Sequence, residues 1–426
     1  MGILNFAKVT ILSGAITLLR LICGLLISKI IAIYTGPAGL ANLGQLQNFV
    51  GFINGFISSQ VSQGVNRYSS EYKDDYETVK DYWRAAVKLS AIACCFIIVI
   101  GCFFSLTISK YLFGHEALYW LIILALSVVP LNVANSIFLG VLNGFAEHNR
   151  YFIASFFSII SSLISMATLV FFWGIEGALI SAALNNAIAG LWLIIIIYRR
   201  PWFTWRLWFG HVPNNKLSDM KKYFLMGIIG ALTGPISTIA VRTILVDNYS
   251  LDYAGCWQAV TKVSEAYLSV LTTAMTVYYF PKTAAARTVK EHLSVLESGA
   301  KIVVPLSLLM AISIFSFKDY IINILFSKDF YQARHLFLFQ NIGDFFRITS
   351  WLFATILLAK GYFKINIFLE IIFSLLYPIL TKLFIVYWPS VGVSIAYCIT
   401  YVFYFVFSLK IYLYHIRKLK GFCDES

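Results

Sequence analysis

Long apolar runs separated by short polar breaks recur along the whole chain. Their limits predict twelve helices at 9–33, 40–66, 84–109, 117–142, 151–173, 177–198, 218–246, 253–279, 293–317, 332–359, 364–387 and 391–414. Each approaches or exceeds the ~20 residues that a helix needs to cross the hydrocarbon core of a bilayer. The second run stands apart, because it carries Gln45, Gln47, Asn48, Asn54, Gln60 and Gln63. Lipid solvates such side chains poorly, so this helix is expected to face a polar cavity. The first run follows one early cation, Lys8, and no small-residue cleavage site closes it. It reads as a retained helix and not as a signal peptide.

Charge supports this division. With twelve spans, one side of the membrane collects 23 Lys/Arg and the other only four, Lys110, Lys318, Lys328 and Arg334. Adding or dropping one span would mix the two sets. The excess of basic residues marks the cytoplasmic side, so both termini are expected there. The halves also repeat. Ala38-Gly39 matches Ala254-Gly255, Gly144-Phe145 matches Gly361-Tyr362, and Trp173 with Gly177 matches Trp388 with Gly392, all at offsets of 215 to 217 residues. That offset spans six helices, an even number, so both halves insert in the same sense. The expected fold is an all-α integral membrane protein, with twelve transmembrane helices in two six-helix bundles related by a pseudo-two-fold along the membrane normal. The bundles are assigned to 1–198 and 218–414, with a basic aromatic cytoplasmic linker at 199–217 and a cytoplasmic tail at 415–426. Such repeats suit a transporter that rocks around a central site. Duplication without transport is the plainer alternative.

Composition excludes other classes. The chain is 59% hydrophobic and 12% charged, against about 25% charged in soluble domains. Its mean hydropathy is +0.78. A soluble or disordered chain needs more polar surface than this. The net charge of +13 points to topology and anionic membrane lipids, with no nucleic acid partner. Of the seven cysteines, six fall in apolar stretches, and no CxxC or Cys/His spacing suggests a metal or a disulfide framework.

Charges inside the spans are the candidate chemistry. Six are cations, Arg20, Lys29, Arg242, Lys262, Arg347 and Lys382, and three are acids, Glu265, Asp344 and Glu370. Six cations facing lipid would cost roughly 15–20 kcal/mol on insertion scales, so most should face water or a partner. Lys262 with Glu265, and Asp344 with Arg347, lie three apart on one helix face. Each pair is either a neutralising salt bridge or a group exchanging between its neighbour and an anionic ligand or coupling ion. Glu370 has no charged residue at i±3 or i±4. It is either a protonatable coupling group or a partner for Lys382 or another helix. Arg20 and Lys29, nine apart, point roughly 180° away from each other on an ideal helix. Only a bend, which Gly24 would allow, lets both face one cavity. In the seventh helix, Gly234-Pro235 precedes Arg242 by seven residues and offers a second hinge or a static kink.

The surplus of cations within the spans suits an anion with several oxygens, since guanidinium matches phosphate bidentately. A site for cationic drugs should be acidic and aromatic. An enzyme that polymerises or transfers lipid-linked sugars would need positioned acids or metal ligands on a sizeable external loop. The longest such loop here holds only Asp319 and Asp329 as acids, and no DxD, HExxH, GxSxG or P-loop pattern occurs. A purely structural membrane protein would not need the polar second helix. The stretch Arg199-Arg200-Pro201-Trp202-Phe203-Thr204-Trp205-Arg206-Leu207-Trp208 reads as an amphipathic interfacial segment for anionic lipid, or as a partner dock.

Several stretches then carry a resemblance. They are Lys29 followed by Thr35-Gly36-Pro37-Ala38-Gly39-Leu40, Gly64-Val65-Asn66-Arg67-Tyr68, Gly255-Cys256-Trp257-Gln258, Ser264-Glu265-Ala266-Tyr267-Leu268, Phe280-Pro281, Gly343-Asp344-Phe345-Phe346-Arg347 and Leu358-Ala359-Lys360. In this order and spacing the chain resembles the Wzx-type flippases of lipid-linked oligosaccharides. These belong to the multidrug/oligosaccharidyl-lipid/polysaccharide exporter superfamily, and the similarity is nearest the O-antigen and enterobacterial common antigen branch. The resemblance implies a V-shaped pair of bundles in a bacterial inner membrane. It also implies a substrate, an oligosaccharide on undecaprenyl pyrophosphate, moved from the cytoplasmic to the periplasmic leaflet through a cationic cavity. Arg20, Lys29, Arg67, Arg242 and Arg347 match basic positions of the family, and Glu265 matches an acidic one. Lys262 is a substrate-binding candidate without such a match. Some transporters of the superfamily exchange substrate for H+ or Na+; Glu265, Asp344 and Glu370 are the candidates for such coupling, which nothing in the sequence requires, and no other cofactor is expected. Membrane lipids, a polysaccharide polymerase and a chain-length regulator are the expected partners of a functional monomer. A cation-coupled drug exporter of the same superfamily is the main alternative.

Overall fold

The computed structural model describes residues 2–275, 279, 282–283, 288–359 and 363–424. Among them every regular element is a helix. Helix α1 (2–35) passes into α2 (37–71) through Gly36, whose φ of 65° breaks the helical path. A second left-handed glycine, Gly174 (φ 55°), separates α5 (148–173) from α6 (175–197). Only glycine adopts these values without strain, so two of the expected loops shrink to single-residue kinks. Between the two pairs lie α3 (Tyr76–Phe103, continued by Ser105–Phe113) and α4 (Tyr119–Ser127, continued by Val129–Gly144). The second half holds α7 (Asn214–Asn248), α8 (Leu251–Ala274), α9 (Val289–Ser316), α10 (Phe337–Ala359), α11 (Phe363–Tyr387) and α12 (Gly392–Asp424). The twelve-helix expectation therefore holds.

Seven helices among the described residues are long and apolar enough to cross a membrane by length and composition, and two of these are the kinked pairs. Helices α8 and α10 are long enough too, but more polar. They carry Lys262 and Glu265, and Gln340, Asn341, Asp344 and Arg347, respectively. Apolar side chains on the outer faces remain exposed, as on α3 with Phe96 (63%), Val99 (63%) and Phe103 (80%). In a bilayer such a surface is solvated by lipid, so the polar residues turn inward.

Boundaries moved where polar sequence is helical. The stretch 67–88, expected as a loop, is mostly helix. Helix α2 runs to Glu71, and α3 starts at Tyr76, capped by the Asp75 carboxylate, which accepts from the Thr78 amide at 3.0 Å. Hydrogen bonds from Thr78 hold the Asp75 carboxyl below its ordinary range. The stretch 318–334, also expected as a loop, likewise contains a helix, Lys318–Leu325, and a 3-10 segment, Lys328–His335. Phe280-Pro281 and Lys360-Gly361-Tyr362 lie outside the described residues.

The chain divides into two compact units, Met1–Thr35 with Asn42–Ile239, and Gly36–Ala41 with Ala240–Ser426. The first unit's core includes the segment after α6. Trp202 and Trp208 are buried, and Trp208 stacks on Trp83 with ring centroids 5.0 Å apart. Of the segment expected to be amphipathic and interfacial, only Trp205–Trp208 is helical; Trp202 and Trp208 turn into the protein and Trp205 is exposed. Glu147 fixes the segment by accepting from Arg200, from Arg150 at 3.0 Å and from the Trp202 indole at 3.4 Å. Nearby, Lys216 donates to the Tyr82 hydroxyl at 3.1 Å, and this bond holds its ammonium above the ordinary lysine value. Replacing Glu147 by Ala leaves two arginines and an indole unmatched. The expected cost is about 1–3 kcal/mol, seen as a lower Tm in detergent and greater acrylamide quenching of tryptophan. An unchanged Tm and unchanged quenching would mean that the aromatic stack alone holds the segment.

Candidate polar cavity and buried charge network

In the first unit, α1, α4, α5 and α6 border an open cavity of about 440 Å³, at which Arg20 is exposed. Arg20 enters it from α1, Asn135 from α4, Tyr151, Ser155, Ser158 and Ser162 from α5, and Asn185 and Asn186 from α6. The serines recur at i, i+3 and i+7, which places them on one face of α5. On α1 the lining residues Arg20, Cys23, Gly24 and Ile27 form the matching stripe. Lys29 is half-buried and is not among the lining residues, as its angular separation from Arg20 requires. The backbone of α1 stays helical through Gly24, and its break is at Gly36 instead. Among the described lining residues there is one formal charge, positive, surrounded by hydroxyls and amides.

The polar face of α2 is distributed differently. Gln45 is buried, Gln47, Asn48 and Asn54 are half-buried, and Gln63 is exposed. None of these lines the cavity on α1. Arg67 stands exposed at the end of α2, paired with Glu71 at 3.8 Å and donating to the Tyr223 hydroxyl at 3.0 Å.

The second unit gathers charge in its interior. Arg242 on α7 is fully buried; it donates to the Gln258 side-chain oxygen, and its guanidinium lies 5.4 Å from the Trp257 ring centre. Gly234 and Pro235 precede it within a continuous α7. On α8, Lys262 and Glu265 form an ion pair at 3.7 Å with the carboxylate half exposed. Asp344 on α10 is fully buried and accepts from the Tyr267 hydroxyl at 2.6 Å and the Tyr397 hydroxyl at 2.7 Å. Arg347 donates to the same Tyr397 oxygen at 3.2 Å and packs over Tyr401. The expected Asp344/Arg347 pair is thus bridged by a tyrosine and makes no direct contact within 4.0 Å. Glu370 and Lys382 are both exposed on α11. Their twelve-residue separation is roughly 18 Å along a helix, too far for the pairing considered from sequence.

The sequence did not single out Asn135, Tyr151, Asn185, Asn186, Tyr267 or Tyr397. The Asn185-Asn186 pair within an apolar run, and the serine periodicity on α5, were signals available to it. Tyr267 lay in one of the stretches that carry the resemblance, but for Tyr397 there was no signal, because a tyrosine at a lipid interface and one inside a bundle look alike in sequence.

Residues 6–287 match the family described as polysaccharide biosynthesis protein. The chain belongs to that family. The Lipid III flippases of Escherichia coli (strain K12) and Shigella flexneri are each 26% identical over 425 residues, covering 97% of this chain and 100% of theirs. Solved structures share the fold. An inward-facing multidrug resistance MATE family transporter of the MOP superfamily superposes with a TM-score of 0.83 at 15% identity, over 97% of this chain and 99% of that one. A MOP superfamily transporter from Pyrococcus furiosus Vc1 (DSM3638), described as having a binding pocket of reverse polarity, gives 0.67 at 14% identity over 97% and 95%. The chain is therefore a multi-pass membrane protein that shares the twelve-helix fold of these transporters. The resemblance read from sequence agrees with the polysaccharide biosynthesis family and with full-length similarity to the Lipid III flippases. The named relatives move a molecule and are not named for transforming one.

Proposed function

We propose that the protein is a flippase for an oligosaccharide linked to undecaprenyl pyrophosphate, of the O-antigen or enterobacterial common antigen type. It carries the head group from the cytoplasmic to the periplasmic leaflet of a bacterial inner membrane, with both termini cytoplasmic. The observation that carries this reading is the cavity on α1. Its single arginine suits a phosphate oxygen, and its serine hydroxyls and asparagine amides suit sugar hydroxyls. A cationic drug would find no acid among these lining residues, which disfavours the drug-exporter reading. Full-length similarity to the Lipid III flippases agrees. Arg242, Lys262, Arg347, Lys29 and Arg67 remain further basic candidates, and Asp344, with Glu265 and Glu370, the candidates for proton or sodium coupling. Gly24, Gly234 and Pro235 remain candidate flexing points during exchange.

The test is flipping of a fluorescent undecaprenyl-pyrophosphate oligosaccharide in proteoliposomes. Arg20→Ala at equal folded yield should slow flipping at least about tenfold, the loss expected for one charge-assisted hydrogen bond of 1.5–3 kcal/mol. Asn185→Leu should weaken flipping with little effect on a substrate lacking sugar. Wild-type protein that ignores this substrate and exports a cationic dye would overturn the reading.

A further inference from the structure

Helices α2 and α4 of the first unit approach each other closely along a repeating seam. The hydroxyl oxygens of Ser58 and Ser136, 78 residues apart in the chain, lie 3.3 Å from each other. A Cβ on Gly140 would sit 2.6 Å from the Ser62 carbonyl oxygen, and one on Gly144 would sit 2.6 Å from that of Asn66. Both contacts keep the same separation along the chain, so the two helices run side by side in one register. One turn before Ser58 and Ser136, that register sets Asn54 opposite Asn132. Immediately after Asn54, α2 widens into a π turn over Gly55–Ser59, a feature frequent at functional sites.

This level of the seam carries polar groups that the protein leaves unmatched. Asn132 is 3% exposed, and neither its Oδ1 nor its Nδ2 has a hydrogen-bond partner among the described residues. The Asn54 Oδ1 is shielded from solvent and has none either. The serines one turn on are satisfied locally, Ser58 donating to the Asn54 carbonyl at 2.8 Å and Ser136 to the Asn132 carbonyl at 3.2 Å. Buried amides without partners are costly, and these two do not bond to each other although each offers what the other lacks. Asn135, three residues farther along α4, lines the cavity on α1, whereas Asn54 and Asn132 do not.

The unmatched groups select their occupant. They present N–H and C=O together, and none of them is charged. Water both accepts and donates, so one molecule can accept from the Asn132 N–H and donate to the Asn54 oxygen, as internal waters do for polar groups that lack protein partners. A sodium ion would be served by the oxygens alone, with an N–H turned against it and no carboxylate in the set to offset its charge. Turning the Asn132 carboxamide over exchanges its two ends, and water bridges in either orientation. We infer that an ordered water molecule is bound in the seam between Asn54 and Asn132 and completes the contact of α2 with α4. Asn54, one of the polar residues that set α2 apart in the sequence, thereby has a use separate from the substrate. The inference does not depend on the proposed function.

A map of the full-length protein in nanodiscs, at a resolution that shows ordered water, should place one within hydrogen-bond distance of both side chains. Asn132→Leu removes one side of the bridge and strands the Asn54 oxygen, so Tm should fall by about 2 °C or more. Asn54→Leu should do the same. The double variant Asn54→Leu/Asn132→Leu leaves a dry apolar contact and should recover most of that loss, which makes the two changes strongly non-additive. Single variants that each raise Tm, with effects that add in the double variant, would overturn the shared water. So would a map in which the two amides bond directly to each other. A wild-type Tm that rises in NaCl over KCl at equal ionic strength, and no longer does so in Asn132→Leu, would overturn it in favour of a sodium ion.

Discussion

Asp344→Ala is expected to lower the folded yield sharply and to abolish flipping in whatever protein survives. The carboxylate is fully enclosed, two tyrosine hydroxyls donate to it, and one of those oxygens also receives Arg347. Removing the acid strands a cation whose nearest compensation acted through Tyr397. Losing the buried acid leaves two tyrosine hydroxyls without their acceptor and Arg347 without its nearby countercharge, a cost of about 3 kcal/mol or more. Asp344→Asn keeps the shape but supplies an amide donor toward hydroxyls that were themselves donating, so it should fall between wild type and Asp344→Ala. Asp344→Asn/Arg347→Gln restores electroneutrality and should recover most of the lost Tm. Flipping should stay lost in that double variant if the acid takes part in the transport cycle. Flipping that returns together with Tm would make the network purely structural.

Which parts of this architecture were legible from sequence follows from what each signal measures. Hydropathy reports the number of apolar runs, and twelve helices were found. It is silent on helix that continues beyond the membrane, so the Asp75-capped start of α3 and the end of α2 were read as loop. Charge spacing placed Asp344 and Arg347 on one face, yet the contact between them runs through Tyr397, 50 residues from Arg347. No pattern along a single helix contains that bridge. Arg20 and Lys29 show the reverse case. Helical geometry alone placed them on opposite faces, and only Arg20 lines the cavity. The composition of the Arg/Trp stretch does not say which tryptophans turn inward. Trp202 and Trp208 do, and Trp205 does not.

Gly177 and Gly392 show what the internal repeat preserves, and substituting them should give graded damage. A Cβ on Gly177 would sit 1.9 Å from the Leu169 carbonyl oxygen, and one on Gly392 would sit 2.7 Å from the Phe384 carbonyl oxygen and the Ile385 amide nitrogen. In each half the glycine thus lies against backbone eight residues earlier, where one helix turns back into the next. Backbone cannot swing aside as a side-chain tip can, so any larger residue must push the two helices apart, and closely packed interiors resist such shifts at a cost of about 1–3 kcal/mol or more. Gly177→Val should therefore remove nearly all monodisperse protein in fluorescence-detected size exclusion. Gly392→Val should leave a reduced but measurable fraction, because its contact is 0.8 Å less severe. Gly14→Val, with nothing within 4 Å of the added carbon, should behave as wild type. A reversed order between Gly177 and Gly392 would mean that the hairpin in the second half is the tighter one. Equal tolerance at all three would mean that these glycines recur at matching positions for a reason other than the close approach of two helices.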